Sequence, residues 1–173
     1  MKKIITLLAV AALSVSFVSA QNARRAVGDI SLDLGVGFPT AHSDMSIALP
    51  PIDANFEYTI LDFGNAGTLS VGGVIAFQSL KSKYDYSMTS MLVAPQATYR
   101  FPIMDNLDLF GKLALGYLST KASDARYGEF VNSSGFGWAG YAGATYYFSE
   151  KLGVGAQIGN GLSLVELHVT IKL

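Results

Sequence analysis

The chain has 173 residues with 12 basic and 13 acidic side chains, a formal net charge of -1, and no cysteine. That balance excludes nucleic acid as an expected partner, and the missing thiol excludes disulfides, cysteine-held metals and a lipidated cysteine anchor. Half of the chain is hydrophobic and only 14% is charged, yet nothing after the first twenty residues offers the ~18 unbroken apolar residues of a membrane helix, so any membrane crossing must be made by strands.

The chain opens as an export address. Lys2 and Lys3 form a positive head, Ile4 to Val18 is an apolar stretch, and Val18-Ser19-Ala20 supplies small residues for cleavage. This predicts a signal peptide over 1–20 and a mature chain over 21–173. The mature part then carries ten basic and thirteen acidic residues, a net charge of about -3.

Eight runs of alternating apolar and polar residues follow, the mark of strands with two unlike faces. Gly28 to Phe38 sets Ile30, Leu32, Leu34, Val36 and Phe38 against Asp29, Ser31 and Asp33. Ile52 to Ile60 sets Ala54, Phe56, Tyr58 and Ile60 against Asp53, Asn55, Glu57 and Thr59. Thr68 to Gln78 is the third run. The fourth, Ser90 to Phe101, places Gln96, Thr98 and Arg100 on its polar face and contains Pro95, which cannot donate to a ladder. The fifth, Leu107 to Tyr117, sets Leu109, Leu113 and Leu115 against Asp108 and Lys112. Gly135 to Phe148, Leu152 to Ile158 and Leu164 to Leu173 complete the series, the last placing Glu166, His168, Thr170 and Lys172 on one face.

The connectors alternate in length. Pro39 to Pro51, Ser79 to Thr89 and Leu118 to Ser134 read as long loops, whereas Leu61 to Gly67, Pro102 to Asn106 and Ser149 to Lys151 read as short turns. Short turns at one end and long loops at the other describe a transmembrane barrel with both mature termini on the periplasmic side. Gly159 to Ser163 is short on the long-loop side and is expected to leave the wall low there.

A secreted soluble β-domain would also alternate; two features favour the membrane. Aromatic residues collect near both ends of the apolar face, at Phe56, Tyr58, Tyr99, Phe101, Tyr146 and Phe148 on one side and Phe38, Phe77, Tyr117, Phe136 and Trp138 on the other. Two aromatic girdles with an aliphatic band between them match the two interfaces of a bilayer. The polar face mixes Gly, Ala, Ser and Thr with charges of both signs, suited to a narrow lumen filled by side chains. The predicted fold is therefore all-β, an eight-stranded antiparallel up-and-down transmembrane barrel.

Met91 to Phe101, Leu107 to Tyr117 and Gly143 to Gly153 resemble strands of small outer-membrane β-barrel proteins, the OmpX/OmpW-like porin family in a style common in Bacteroidota. The resemblance implies a monomer in the bacterial outer membrane, surrounded by its lipid and delivered by the insertion machinery. Many such barrels end in an aromatic residue; Leu173 stands last here, which is expected to weaken recognition by that machinery.

No cofactor motif, metal-ligand spacing, phosphate-cradling loop or nucleophile elbow is present. His42-Ser43-Asp44 is adjacent in sequence, but a triad is made by geometry rather than adjacency, and the chain is not expected to be an enzyme. His168 is expected to be a hydrogen-bonded lumen residue. Asp33, Glu57, Arg100, Lys112 and Glu166 are expected to form an ionic plug in the lumen. The function expected is a structural or surface-interaction barrel that presents its loops to an extracellular ligand, with Lys121, Asp124, Arg126, Tyr127 and Glu129 in the last long loop. The alternatives are a narrow porin-like channel for small solutes and, behind it, a lipid-modifying barrel enzyme.

Overall fold

The computed structural model describes residues 25–39, 45–82, 86–124 and 129–173. The predicted signal peptide, the His42-Ser43-Asp44 string, Arg126 and Tyr127 lie outside the described residues. Eight strands run in chain order: β1 Ile30–Pro39, β2 Met45–Asp62, β3 Thr68–Ser82, β4 Tyr86–Met104, β5 Leu107–Asp124, β6 Glu129–Tyr147, β7 Leu152–Asn160 and β8 Ser163–Lys172. Each pairs antiparallel with its neighbours, and β1 pairs with β8 from Ser31↔Lys172 to Pro39↔Ser163, so the sheet closes.

The two faces are inverted relative to a soluble core. Outward-facing side chains are apolar and exposed, including Ile75 at 58%, Leu113 at 50%, Ile158 at 63% and Leu167 at 58%. The most deeply buried large side chains include Arg100, Glu57, Thr98, Thr145 and Asp33. A soluble barrel would place these the other way round, because an exposed apolar belt of this extent would aggregate in water. Closure leaves no strand edge in the hydrocarbon, where an unpaired N–H or C=O would cost several kcal/mol.

Pro95 sits within β4. Pairing with β5 stops at Val93↔Tyr117 and resumes at Gln96↔Ala114 in unchanged register, because proline has no N–H to give. At one turn of the short-turn end, a 3₁₀ segment at Gly64–Ala66 joins β2 to β3, and Gly64 and Gly67 both take positive φ (67° and 114°). The Tyr99 hydroxyl donates to the Ala66 carbonyl and ties this turn to β4.

The structure corrects the expected loops. Most of Pro39–Pro51, Ser79–Thr89 and Leu118–Ser134 is strand. Pairing of β2 with β3 continues to Met45↔Ser82, of β3 with β4 to Lys81↔Ser87, and of β5 with β6 to Asp124↔Glu129. About 9–11 tilted residues cross a bilayer, so β1, β7 and β8 (10, 9 and 10 residues) are of spanning length. By contrast β2, β4, β5 and β6 (18 or 19 residues each) run well beyond it. The outer halves of β2 to β6 therefore stand above the closed barrel as a five-stranded sheet. Most described side chains of these outer halves are exposed or half-buried, with Leu80 (1% exposed) an exception, so the strict apolar alternation that marks a half-buried strand stops.

Among the described residues its two edges are the outer parts of β2 and β6. Pairing of β1 with β2 ends at Val36↔Ile52, and pairing of β6 with β7 reaches only Gly140↔Asn160. Pro50 and Pro51 lie on the β2 edge, where a missing N–H costs nothing and discourages pairing with another chain.

Side chains leave little spare room inside. A Cβ built on Gly72 would collide with the Phe56 carbonyl oxygen, which is backbone and cannot swing away. Gly72→Ala is therefore expected to lower stability by about 1–3 kcal/mol, read as a lower urea midpoint of the refolded barrel. An unchanged midpoint would show that β2 and β3 can separate there at no cost.

Candidate functional site

The lumen holds a cluster of charges drawn from four strands (β1, β2, β4 and β5) and the segment before β1. Arg100 on β4 is its centre. Its Nε and Nη2 donate to Glu57 Oε2 (3.1 and 2.9 Å), Nη2 also to Asp33 Oδ2 (3.1 Å), and Nη1 to Asp108 Oδ1 and Thr145 Oγ1 (both 3.4 Å). Lys112 Nζ on β5 donates to Asp33 Oδ2 at 2.7 Å and lies 3.4 Å from Glu57 Oε1. Arg25 closes the lower end, donating to Ser31 Oγ (2.5 Å), Glu57 Oε2 (3.4 Å) and the Tyr147 hydroxyl (3.2 Å).

Hydroxyls complete the carboxylates. Thr98 donates to Glu57 Oε1 (3.0 Å), Thr170 to Asp33 Oδ1 (2.7 Å) and Tyr147 to Asp108 Oδ2 (3.3 Å). The Phe110 ring lies 4.9 Å from both the Arg100 guanidinium and Lys112 Nζ and meets the His168 ring edge-on at 5.4 Å. His168 Nε2 bonds Thr145 Oγ1 at 3.1 Å, a lumen hydrogen bond of the expected kind. Arg25, Arg100 and Lys112 balance Asp33, Glu57 and Asp108, so the buried set is neutral overall. Desolvating six charges is tolerable only with such pairing and hydrogen bonding.

Of the five lumen charges singled out from the sequence, Asp33, Glu57, Arg100 and Lys112 come together. Glu166 sits apart, accepting from Gln157 Nε2 (2.5 Å) and Ser163 Oγ (2.7 Å). Sequence reasoning left Arg25, Phe110 and Tyr147 out, and placed Asp108 on the polar face without counting it in the cluster. Asp108 and Phe110 share the phase of Lys112, and Tyr147 that of Thr145, so strand period could have found them; Arg25 precedes β1 and has no such signal. Among the described residues no group of three or more His, Cys, Asp or Glu side chains is arranged to hold a metal ion.

An apolar exterior, a closed ring of eight strands and a lumen packed with compensated charges define a transmembrane β-barrel of the small, filled kind. Residues 5–164 match the family described as outer membrane protein beta-barrel domain, and the chain belongs to that family. It is accordingly a protein of the bacterial outer membrane, embedded in its lipid. No curated protein is significantly similar to it in sequence.

Among solved structures it is similar in fold to Ail, the attachment invasion locus protein of Yersinia pestis, in complex with the heparin analogue sucrose octasulfate. That match has 16% identity, covers 84% of this chain and 94% of that one, and has a TM-score of 0.50. It is also similar to the N-terminal β-barrel domain of Pseudomonas aeruginosa OprF (12%, 86% and 100%, TM-score 0.53) and to a de novo designed transmembrane barrel (14%, 87% and 99%, TM-score 0.52). All three share the small closed-barrel fold with this chain.

Proposed function

We propose that this barrel is a non-enzymatic structural and surface-interaction element of the outer membrane, exported by cleavage after Ala20, inserted by the barrel insertion machinery and acting as a monomer. The observation that carries this reading is the five-stranded sheet made by the outer halves of β2 to β6. It extends beyond spanning length, and its β6 edge from Glu129 to Ala139 has no strand partner toward β7 among the described residues. A free edge and an elevated sheet provide contact area that the low wall of β1, β7 and β8 does not.

The test uses the barrel in lipid nanodiscs, probed with sulfated glycans and matrix proteins. Sucrose octasulfate is included because Ail is found in complex with it. Binding by the full barrel, lost when the outer halves of β2 to β6 are cut back to tight turns while the heat-modifiable gel shift remains, is the expected result. Binding that survives the truncation would move the function elsewhere.

The charge cluster opposes the channel alternative, since eight strands leave a bore just wide enough for side chains to fill. In planar bilayers the barrel is expected to give no steady conductance. Regular unitary steps would replace the reading with a narrow channel.

A further inference from the structure

Above the neutral cluster, the lumen contains two carboxylates that no cation balances. Asp53 on β2 and Glu166 on β8 flank β1 and converge on Gly35, where a built Cβ would strike an oxygen of each. Only a residue without a side chain fits beneath them. Among the described residues neither carboxylate has an ion pair; Lys112 borders the same cavity, but its Nζ is engaged by Asp33 and Glu57.

The hydroxyls of Tyr141 and Ser163 bond one another and Ser163 donates to Glu166, and one further acceptor is left over. Gln157 on β7 is 3% exposed and borders the cavity. Its Nε2 donates to Glu166 Oε1, which fixes the amide orientation, and its Oε1 has no partner. Asn55 Nδ2 donates to Asp53 Oδ2, while Asp53 Oδ1 also has no partner. Two carboxylates and an amide oxygen thus face one space whose volume, open to a water centre, is about 20 Å³, room for a water or two. Unpartnered buried acceptors of this kind cost free energy unless a donor or a cation meets them.

We propose that Asp53, Glu166 and Gln157 bind a single divalent cation of the calcium class in the outer lumen. Calcium takes six to eight oxygens in flexible geometry; carboxylates, the amide oxygen and ordered water supply such a set, and a charge of +2 neutralises this chamber as the three cations neutralise the one below. The route in is short. Ser163 and Glu166 follow directly on the β7–β8 outer turn at Gly161 and Leu162, where the wall is lowest. The bound ion would join β2 to β7 and β8 across β1.

The test titrates the refolded, chelator-washed barrel in detergent with terbium, a calcium-sized probe, and competes it with calcium. Tyr141, whose hydroxyl lies 3.1 Å from Ser163 Oγ at the same cavity, should sensitise terbium emission. The expected result is one calcium-displaceable site, dimmed by Tyr141→Phe and weakened at least tenfold by Asp53→Asn and by Glu166→Gln. Glu150→Gln, on the exposed turn before β7, should bind normally. At calcium about 100 times Kd the folding equilibrium should shift about 100-fold, and this shift should vanish in both carboxylate variants. A folded wild-type barrel with no saturable emission and no calcium-dependent stability would overturn the proposal, showing that the carboxylates share a proton instead. So would binding that both variants retain. If one carboxylate variant does not refold, the other and Gln157→Met carry the comparison.

Discussion

Arg100→Met is expected to cost the barrel about 3–5 kcal/mol, the range for removing one partner from a buried ion pair. The substitution keeps much of the side-chain volume and removes the group that bonds Glu57, Asp33, Asp108 and Thr145 together. Lys112 and Arg25 stay near Glu57 at 3.4 Å each but cannot replace bonds of 2.9 and 3.1 Å. The loss is read from urea unfolding of the barrel in lipid vesicles. Glu57→Gln combined with Arg100→Met should recover part of it, because the stranded carboxylate is then gone. A coupling of about 0.5–3 kcal/mol between the two sites is the expected result of the cycle. Strict additivity would mean that the guanidinium and Glu57 do not act on one another and would remove the cluster from the account of what fills the lumen.

Leu113→Arg is expected to destabilise the folded barrel by about 2–4 kcal/mol, the cost of a cation at mid-depth on the lipid face. Leu113 is half exposed on the outer face of β5, between Tyr117 toward the outer rim and Leu107 at the short-turn end. Lys81→Arg, on an outer-half strand, should change stability little, since the Lys81 side chain is exposed and already charged. The contrast separates a membrane barrel from a soluble one. Equal, small effects at both positions would mean that Leu113 faces water.

The barrel itself was legible because its strands obey two solvents at once. In Ile30–Phe38 and Leu107–Tyr117 every second residue meets hydrocarbon and the rest meet the lumen, and so a period of two is written into the residue types. Strand starts at Thr68, Leu107 and Leu152 were accordingly read to the residue. The outer halves were not legible. Ser79–Ser82 and Lys121–Ser123 lie in strands whose side chains, Leu80 apart, are exposed or half-buried rather than sorted between two solvents, and their cross-strand hydrogen bonds leave no mark on side-chain type. The charge cluster was partly legible for the same reason. Arg100 and Lys112 had to face inward, since lipid would reject them, which also brought Asp33 and Glu57 into view. Asp108 was assigned to the polar face without its role, and Arg25 lies before any strand begins. Period cannot tell that Glu166 and Asp53 share a chamber apart from the others, because height in the lumen depends on the stagger between strands.

Seven of the eight pairings join strands that are neighbours in the chain, and each can form as a local hairpin or meander. The β1–β8 seam alone joins distant segments, beginning at Ser31↔Lys172. Its closure carries the largest chain-entropy cost and forms a late step on general grounds. Asp33 stands on this seam, bonded to Thr170 across it and to Arg100 and Lys112 across the lumen. Zipping the two ends together and neutralising the interior are therefore one event. An open sheet would turn those charges toward lipid, so the half-closed form is penalised twice, and insertion is expected to be all-or-none: a barrel that has begun to part along its seam loses its interior with it.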